Sequence, residues 1–127
     1  MIDKEKDIFA LVSKKLRSKY KKIYVIGAEI ANTPPQFPAV SFVQTNNATN
    51  NGYSTFDNLE NVVREDYKAE VYSNLETGKE IQTKEITSFL SDVMTENGYE
   101  RTFCEPIVNN DSTIHRRMSR FIKNNVI

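Results

Sequence analysis

The sequence has almost none of the residues that build metal centres or cross-links. One cysteine, Cys104, and one histidine, His115, in 127 residues leave no intramolecular disulfide and too few soft ligands for a structural zinc site. The four glycines, Gly27, Gly52, Gly78 and Gly98, are scattered singly, so neither a P-loop nor a dinucleotide fingerprint is present. Excess charge of either sign is also missing. Seventeen Lys and Arg balance seventeen Asp and Glu, which disfavours a domain built mainly to grip nucleic acid or an acidic membrane but leaves local patches open. No apolar run approaches the ~18 residues of a membrane span, and the chain is charged from its third residue (MIDKEKDIF). The expectation is a soluble, unexported protein in a reducing compartment. Hydrophobic residues make up 39% and charged residues 27%, enough for one packed core over residues 1–127 yet on the polar side of average. Burial against copies of itself would make up part of the difference.

Hydropathy patterning then orders the chain. From Asp3 to Tyr20, Ile8, Leu11, Val12 and Leu16 recur at helical spacing opposite Lys14, Lys15, Arg17 and Lys19, with Asp3 as N-cap and the lysines near the negative end of the helix dipole. Lys22 to Glu29 (KIYVIGAE) is apolar at nearly every position, as in a strand covered on both faces or lying at a subunit contact. Thr33 to Pro38 (TPPQFP) lacks the N–H groups for a ladder and must be a connection, leading into a second strand from Ala39 to Thr45. The Asn-rich stretch Asn46 to Asn58, interrupted by Tyr53 and Phe56, reads as a long loop whose aromatics favour contact with a partner. Val63, Tyr67, Ala69 and Val71 alternate with Arg64, Asp66, Lys68 and Glu70, the pattern of a strand with one buried and one wet face. After a turn at Asn74 to Gly78, Ile86, Phe89, Leu90, Val93 and Met94 mark a helix that stops at Asn97-Gly98, and their spacing makes them core residues. Tyr99 to Val108 reads as a strand interrupted by Pro106, followed by a turn at Asn109 to Asp111. From Thr113 to Ile127, periodicity fits a helical stripe and also a strand with Ile114, Arg116, Met118, Arg120 and Ile122 on one face. The pattern is α+β, with helices segregated from a largely antiparallel sheet.

No catalytic constellation stands out. Cys104 and His115 would need mutual contact and an orienting third group to act as nucleophile and base; the simpler reading is a small buried hydrophobe and a surface histidine. Glu65 and Asp66 fall on opposite strand faces and read as surface charges. The cluster Arg116, Arg117 and Arg120 has three readings: contact with a nucleic-acid backbone, pairing with carboxylates across a subunit interface, or a solvated strand face.

The second half of the chain resembles a set of small phage proteins. The run Ala69-Glu-Val-Tyr-Ser-Asn74, then Thr77-Gly78-Lys79, a helix of about eighteen residues, Gly98-Tyr99-Glu100-Arg101-Thr102, Glu105-Pro106-Ile107-Val108-Asn109, and Thr113-Ile114-His115-Arg116-Arg117 is similar, in order and spacing, to the tail terminators of tailed phages and prophages of Gram-positive bacteria. These are also known as tail completion or head-to-tail joining proteins. The N-terminal helix, Tyr24-Val25 and Gln36 to Ser41 agree more loosely, and Asn46 to Asn58 matches least. The resemblance implies a small largely antiparallel β-sheet with two amphipathic helices packed on it, and makes Thr113 to about Lys123 a strand. It also implies a non-enzymatic structural protein of the virion, without cofactor or metal, that forms a homohexameric ring at the tail–head junction after assembly in the host cytoplasm. Its partners would be the tail-tube protein and the head connector, with DNA passing through the lumen without specific binding and no membrane involved. Tyr53, Phe56, Arg116, Arg117 and Arg120 are the interface candidates. A neighbouring neck component, the connector adaptor or stopper, is the alternative, followed by a small nucleic-acid-binding domain.

Overall fold

A computed structural model describes residues 5–30, 33–49, 62–109 and 111–126. The elements run α1 (Glu5–Lys19), β1 (Tyr24–Ile26), β2 (Ala39–Thr49), β3 (Val62–Ser73), α2 (Lys79–Glu96), β4 (Glu100–Ile107) and β5 (His115–Val126). The five strands form one sheet in the order β1-β2-β3-β5-β4. Among the described residues only β1 and β2 pair in parallel; the other neighbours are antiparallel. The α+β class and the largely antiparallel sheet are therefore as the sequence pattern implies.

Both helices cover one face of this sheet. Val25, Val40, Phe42, Tyr67, Ala69, Val71 and Phe121 project from the strands against Ile8, Val12 and Leu16 of α1 and Ile86, Leu90, Val93 and Met94 of α2. Leu16, Ile86, Leu90 and Met94 are fully buried, each contributing about 1.5–3 kcal/mol by leaving water. The Phe42 and Tyr67 rings stack at 5.2 Å, and Tyr99 meets Tyr67 edge-on at 5.5 Å. Chain stops follow the residues at the helix ends. Gly98 takes a φ of 88°, and the Tyr99 and Asn97 amides donate to the Met94 carbonyl, closing α2 at the place its sequence marks. The left-handed backbone favours glycine at Gly98, while a Cβ there would stand 3.2 Å from Lys123 Cε, the far end of a flexible side chain that has only to shift slightly.

Several boundaries differ from the sequence expectation. The first strand is only Tyr24–Ile26, with Val25 buried against the helices and Tyr24 and Ile26 half-buried. It is the sheet's edge strand, packed on the helix side through Val25 and on the other side through Tyr24, in line with the expected cover on both faces. Arg17 Nη2 donates to the outward Val25 carbonyl at 3.3 Å, which blunts that edge. Asn46 to Thr49, expected in the loop, continues β2, paired with Asp66, Glu65, Arg64 and Val63 after a register shift between Gln44 and Asn46. The backbone ladder offered by the long β3 outweighs the turn preference of asparagine. The rest of that loop, with Tyr53 and Phe56, lies outside the described residues, as does Asp3. The Thr113–Ile127 segment is the strand β5, from His115 to Val126, and Pro106 is accommodated because β4 is the outer strand.

Candidate functional site

Among the described residues the sheet's second face carries no helix, and alternation along β3 and β5 decides what it presents. In register, Tyr72 lies opposite Arg116, Glu70 opposite Met118, Lys68 opposite Arg120 and Asp66 opposite Ile122. The chain between β1 and β2 folds over one end of this face. Ile30 and Phe37 pack there with Tyr24 on Ala39, Tyr72 and Ile114. That cover buries a carboxylate: Glu70 is 4% exposed.

Glu70 is held by four donors. Its Oε2 accepts from Arg116 Nε at 2.8 Å, from the Tyr72 hydroxyl at 2.6 Å and lies 2.6 Å from Arg116 Nη2. Lys68 Nζ stands 3.4 Å from Oε1 and also pairs with Glu29 of the covering segment. Burial works to raise the Glu70 carboxyl, but the Tyr72 hydroxyl, Arg116 and Lys68 outweigh it and hold the group below its ordinary value. Burial and the neighbouring carboxylate push the Tyr72 hydroxyl up, against the pull of Arg116, so it stays a donor at neutral pH. The Arg116 guanidinium also lies over the Tyr72 ring, 5.6 Å from its centroid. Such a network of satisfied charges rigidifies this part of the face.

The structure separates the arginines of β5. Arg116 and Arg120 lie on the uncovered face, whereas Arg117 sits opposite Val71 on the helix side. Arg116 finds its carboxylate within its own chain; Arg120 is exposed. Around Arg120, this face presents half-buried Phe103, Met118 and Ile122 beside half-buried Lys68 and Asp66 and exposed Glu100 and Glu105, with exposed Arg64 further along β3, a mixed apolar surface with charges of both signs. That composition suits protein contact better than a polyanion, which needs several cations in a row.

Other sequence candidates fall elsewhere. Cys104 pairs in register with Ser119, four residues from His115 along β5, or about 13 Å at the rise of a strand, so the two are not brought together. Neither matches its simple reading fully: Cys104 is half-buried, and His115 is half-buried with Nε2 enclosed. Burial pushes the His115 imidazole down, with Arg117, Lys79 and Lys84 adding to this and Glu80 opposing it. The reading of Glu65 as a surface charge is overturned. It is fully buried on the helix side, accepting from the Tyr67 hydroxyl at 2.9 Å and the Tyr99 hydroxyl at 3.3 Å. Asp66, on the opposite face, is half-buried and paired with Arg64 at 2.8 Å.

The Glu29–Lys68–Glu70–Arg116 set escaped the sequence reading. Its one sequence signal is that Lys68, Glu70 and Tyr72 share a strand face at spacing two. Among the described residues no group of three or more His, Cys, Asp or Glu side chains is placed to hold a metal ion, and no helix is long and apolar enough to cross a membrane. No protein-family model and no curated protein matches the chain.

Proposed function

We propose that this protein is a phage tail terminator: a structural virion component that binds the last ring of tail-tube subunits, halts their polymerisation and presents its other face to the head connector. It acts as a homohexameric ring and uses binding only, with no catalytic residue and no cofactor. The observation that carries this reading is the ordered resemblance from Ala69 through Arg117. Those segments occupy one contiguous β3-α2-β4-β5 unit: the end of β3, the start of α2, the turn into β4, the end of β4 and the start of β5. The uncovered sheet face supplies a contact area of apolar and oppositely charged side chains around Arg120, and zero net charge suits a lumen that must pass DNA without retaining it.

A terminator works by occupying the growing end of the tube, so its loss leaves a surface that continues to recruit subunits. A nonsense mutant of the phage is expected to yield unjoined heads and tails, with many tails beyond normal length in electron micrographs of the lysate. Free tails of normal length would instead identify a connector adaptor or stopper. Normal infectious particles would remove both readings, and a salt-dependent shift of duplex DNA by the purified protein would favour the nucleic-acid-binding alternative.

A further inference from the structure

Although net charge is zero, the charges of the helical layer are segregated. The stretch Lys14 to Lys22 holds six basic and no acidic residues, and Glu85 to Glu96 holds three acidic and no basic residues. Lys14, Lys15, Lys21 and Lys22 are all exposed on α1 and the turn that follows it, and Glu85, Asp92 and Glu96 are exposed on α2. Spaced i, i+7 and i+11, the three acids form one outward stripe on that helix. Among the described residues none of these seven side chains makes an ion pair.

The acidic stripe also runs against the local electrostatics. Asp92 and Glu96 lie in the C-terminal half of α2, whose last turn has no basic residue, so they add to the negative end of the helix dipole instead of offsetting it. The Glu85 charge reaches the end of α1: burial, then Glu85, pushes the Tyr20 hydroxyl up. Lys19 lines an open cleft of about 450 Å³ with Tyr20, Glu85, Ser88, Phe89 and Asp92. It sits over the Phe89 ring at 4.5 Å. Lys19 and Arg17 are thus engaged within the chain, and Lys14, Lys15, Lys21 and Lys22 face solvent.

We propose that the basic tract Lys14, Lys15, Lys21 and Lys22 of one copy docks on the acidic stripe Glu85, Asp92 and Glu96 of a second copy. Joined head to tail, the contact is heterologous, and of two docked copies one keeps its acidic stripe and the other its basic tract for the next, whereas a two-fold pair would use both patches at once and stop at a dimer. A sheet-to-sheet junction is the poorer route, because Arg17 caps β1 while Pro106 and the register shift after Arg101 interrupt β4. A polyanion is the poorer occupant, because the acidic stripe stands beside the basic tract and repels it at low salt. This inference rests on the self-associating reading above and adds the surfaces that meet.

Charge reversal tests it in the intact protein by sedimentation velocity, with circular dichroism to verify folding. Wild type is expected to self-associate at about 20 mM salt and to dissociate towards monomer at about 0.5 M, where the screening length is only a few ångströms. K14E/K15E and D92K/E96K are each expected to weaken self-association at least ~10-fold, since each turns several attractive pairs into repulsive ones. An equimolar mixture of the two variants restores complementary patches at every junction and is expected to recover wild-type assembly. A wild type that stays monomeric at low salt, variants that associate as wild type does, or a mixture that fails to recover would each overturn the proposal. Variants that assemble normally would refute this contact and leave the ring reading standing, and that reading is judged separately by tail length. If K14E/K15E abolished binding of duplex DNA while wild type never self-associated, the basic tract would belong to a nucleic-acid surface instead.

Discussion

Replacing Arg116 with methionine isolates the charge network of the uncovered sheet face. The substitution keeps an unbranched side chain but removes the two guanidinium contacts to Glu70, at 2.8 and 2.6 Å, and the guanidinium that lies over the Tyr72 ring. Breaking a fully buried ion pair by deleting one partner costs about 3–5 kcal/mol. Here the Glu70 side chain is 6% exposed and that of Arg116 28%, and Lys68 and Tyr72 remain as partners, so the cost falls to about 2 kcal/mol. For a chain of this length that corresponds to a loss of about 7 °C in Tm. Arg120→Met on the same strand and face is the control: Arg120 is exposed and forms no ion pair among the described residues, so its loss stays within ~0.5 kcal/mol. Urea unfolding at neutral pH measures both. The Glu70 carboxyl is held below its unfolded value, so its stabilisation is complete above the unfolded pKa and drains away as pH falls through the depressed folded value. Glu70→Gln should remove that acid-limb dependence. Equal destabilisation by the two arginine variants would refute the account of Glu70 as the charge that Arg116 compensates.

Glu65→Ala is expected to cost about 3 kcal/mol, because it strips a shared acceptor from two buried tyrosine hydroxyls and leaves a cavity, whereas Glu65→Gln, which keeps an acceptor oxygen, costs less than half as much; equal losses in urea unfolding would contradict the hydrogen-bond account. The His115 imidazole is pushed down in the folded protein, so its neutral form is favoured by folding. Its contribution is present above the unfolded value and is lost as pH falls through the folded one; thermal unfolding across that window should be flatter for His115→Gln, and an unchanged pH dependence would contradict the burial of Nε2.

The elements that sequence predicts well are those whose own periodicity meets a buried face. In α2, Ile86, Leu90, Val93 and Met94 supply the stripe, and Gly98 supplies the left-handed stop, so local and tertiary preferences agree. The strand β5 is different. Its helix side holds His115, Arg117, Ser119 and Phe121, and its open side holds Arg116, Met118, Arg120 and Ile122. Neither side is uniformly apolar, so neither period dominates. The extension of β2 through Asn46 to Thr49 fails for a related reason. Asparagines rarely favour strands, and what places them there is the length of β3 opposite, a property of another part of the chain.

Glu65 and Glu70 show why the charged site was less legible than the fold. Both are glutamates on one strand, and both read from sequence as members of a wet face or a surface pair. Their environments are set by residues 34 and 46 positions away, Tyr99 and Arg116, and by a covering segment that brings Glu29 and Phe37 onto the sheet. Burying a carboxylate is tolerable only where donors converge on it, and convergence depends on strand order and register, which hydropathy does not encode. Strand order is also what divides Arg116 from Arg117, neighbours in sequence that face opposite sides of the sheet. The one anchors Glu70 and stiffens the uncovered face. The other points beneath α2, so a ligand drawn to the open face meets Arg120 rather than the run of three arginines that the sequence displays.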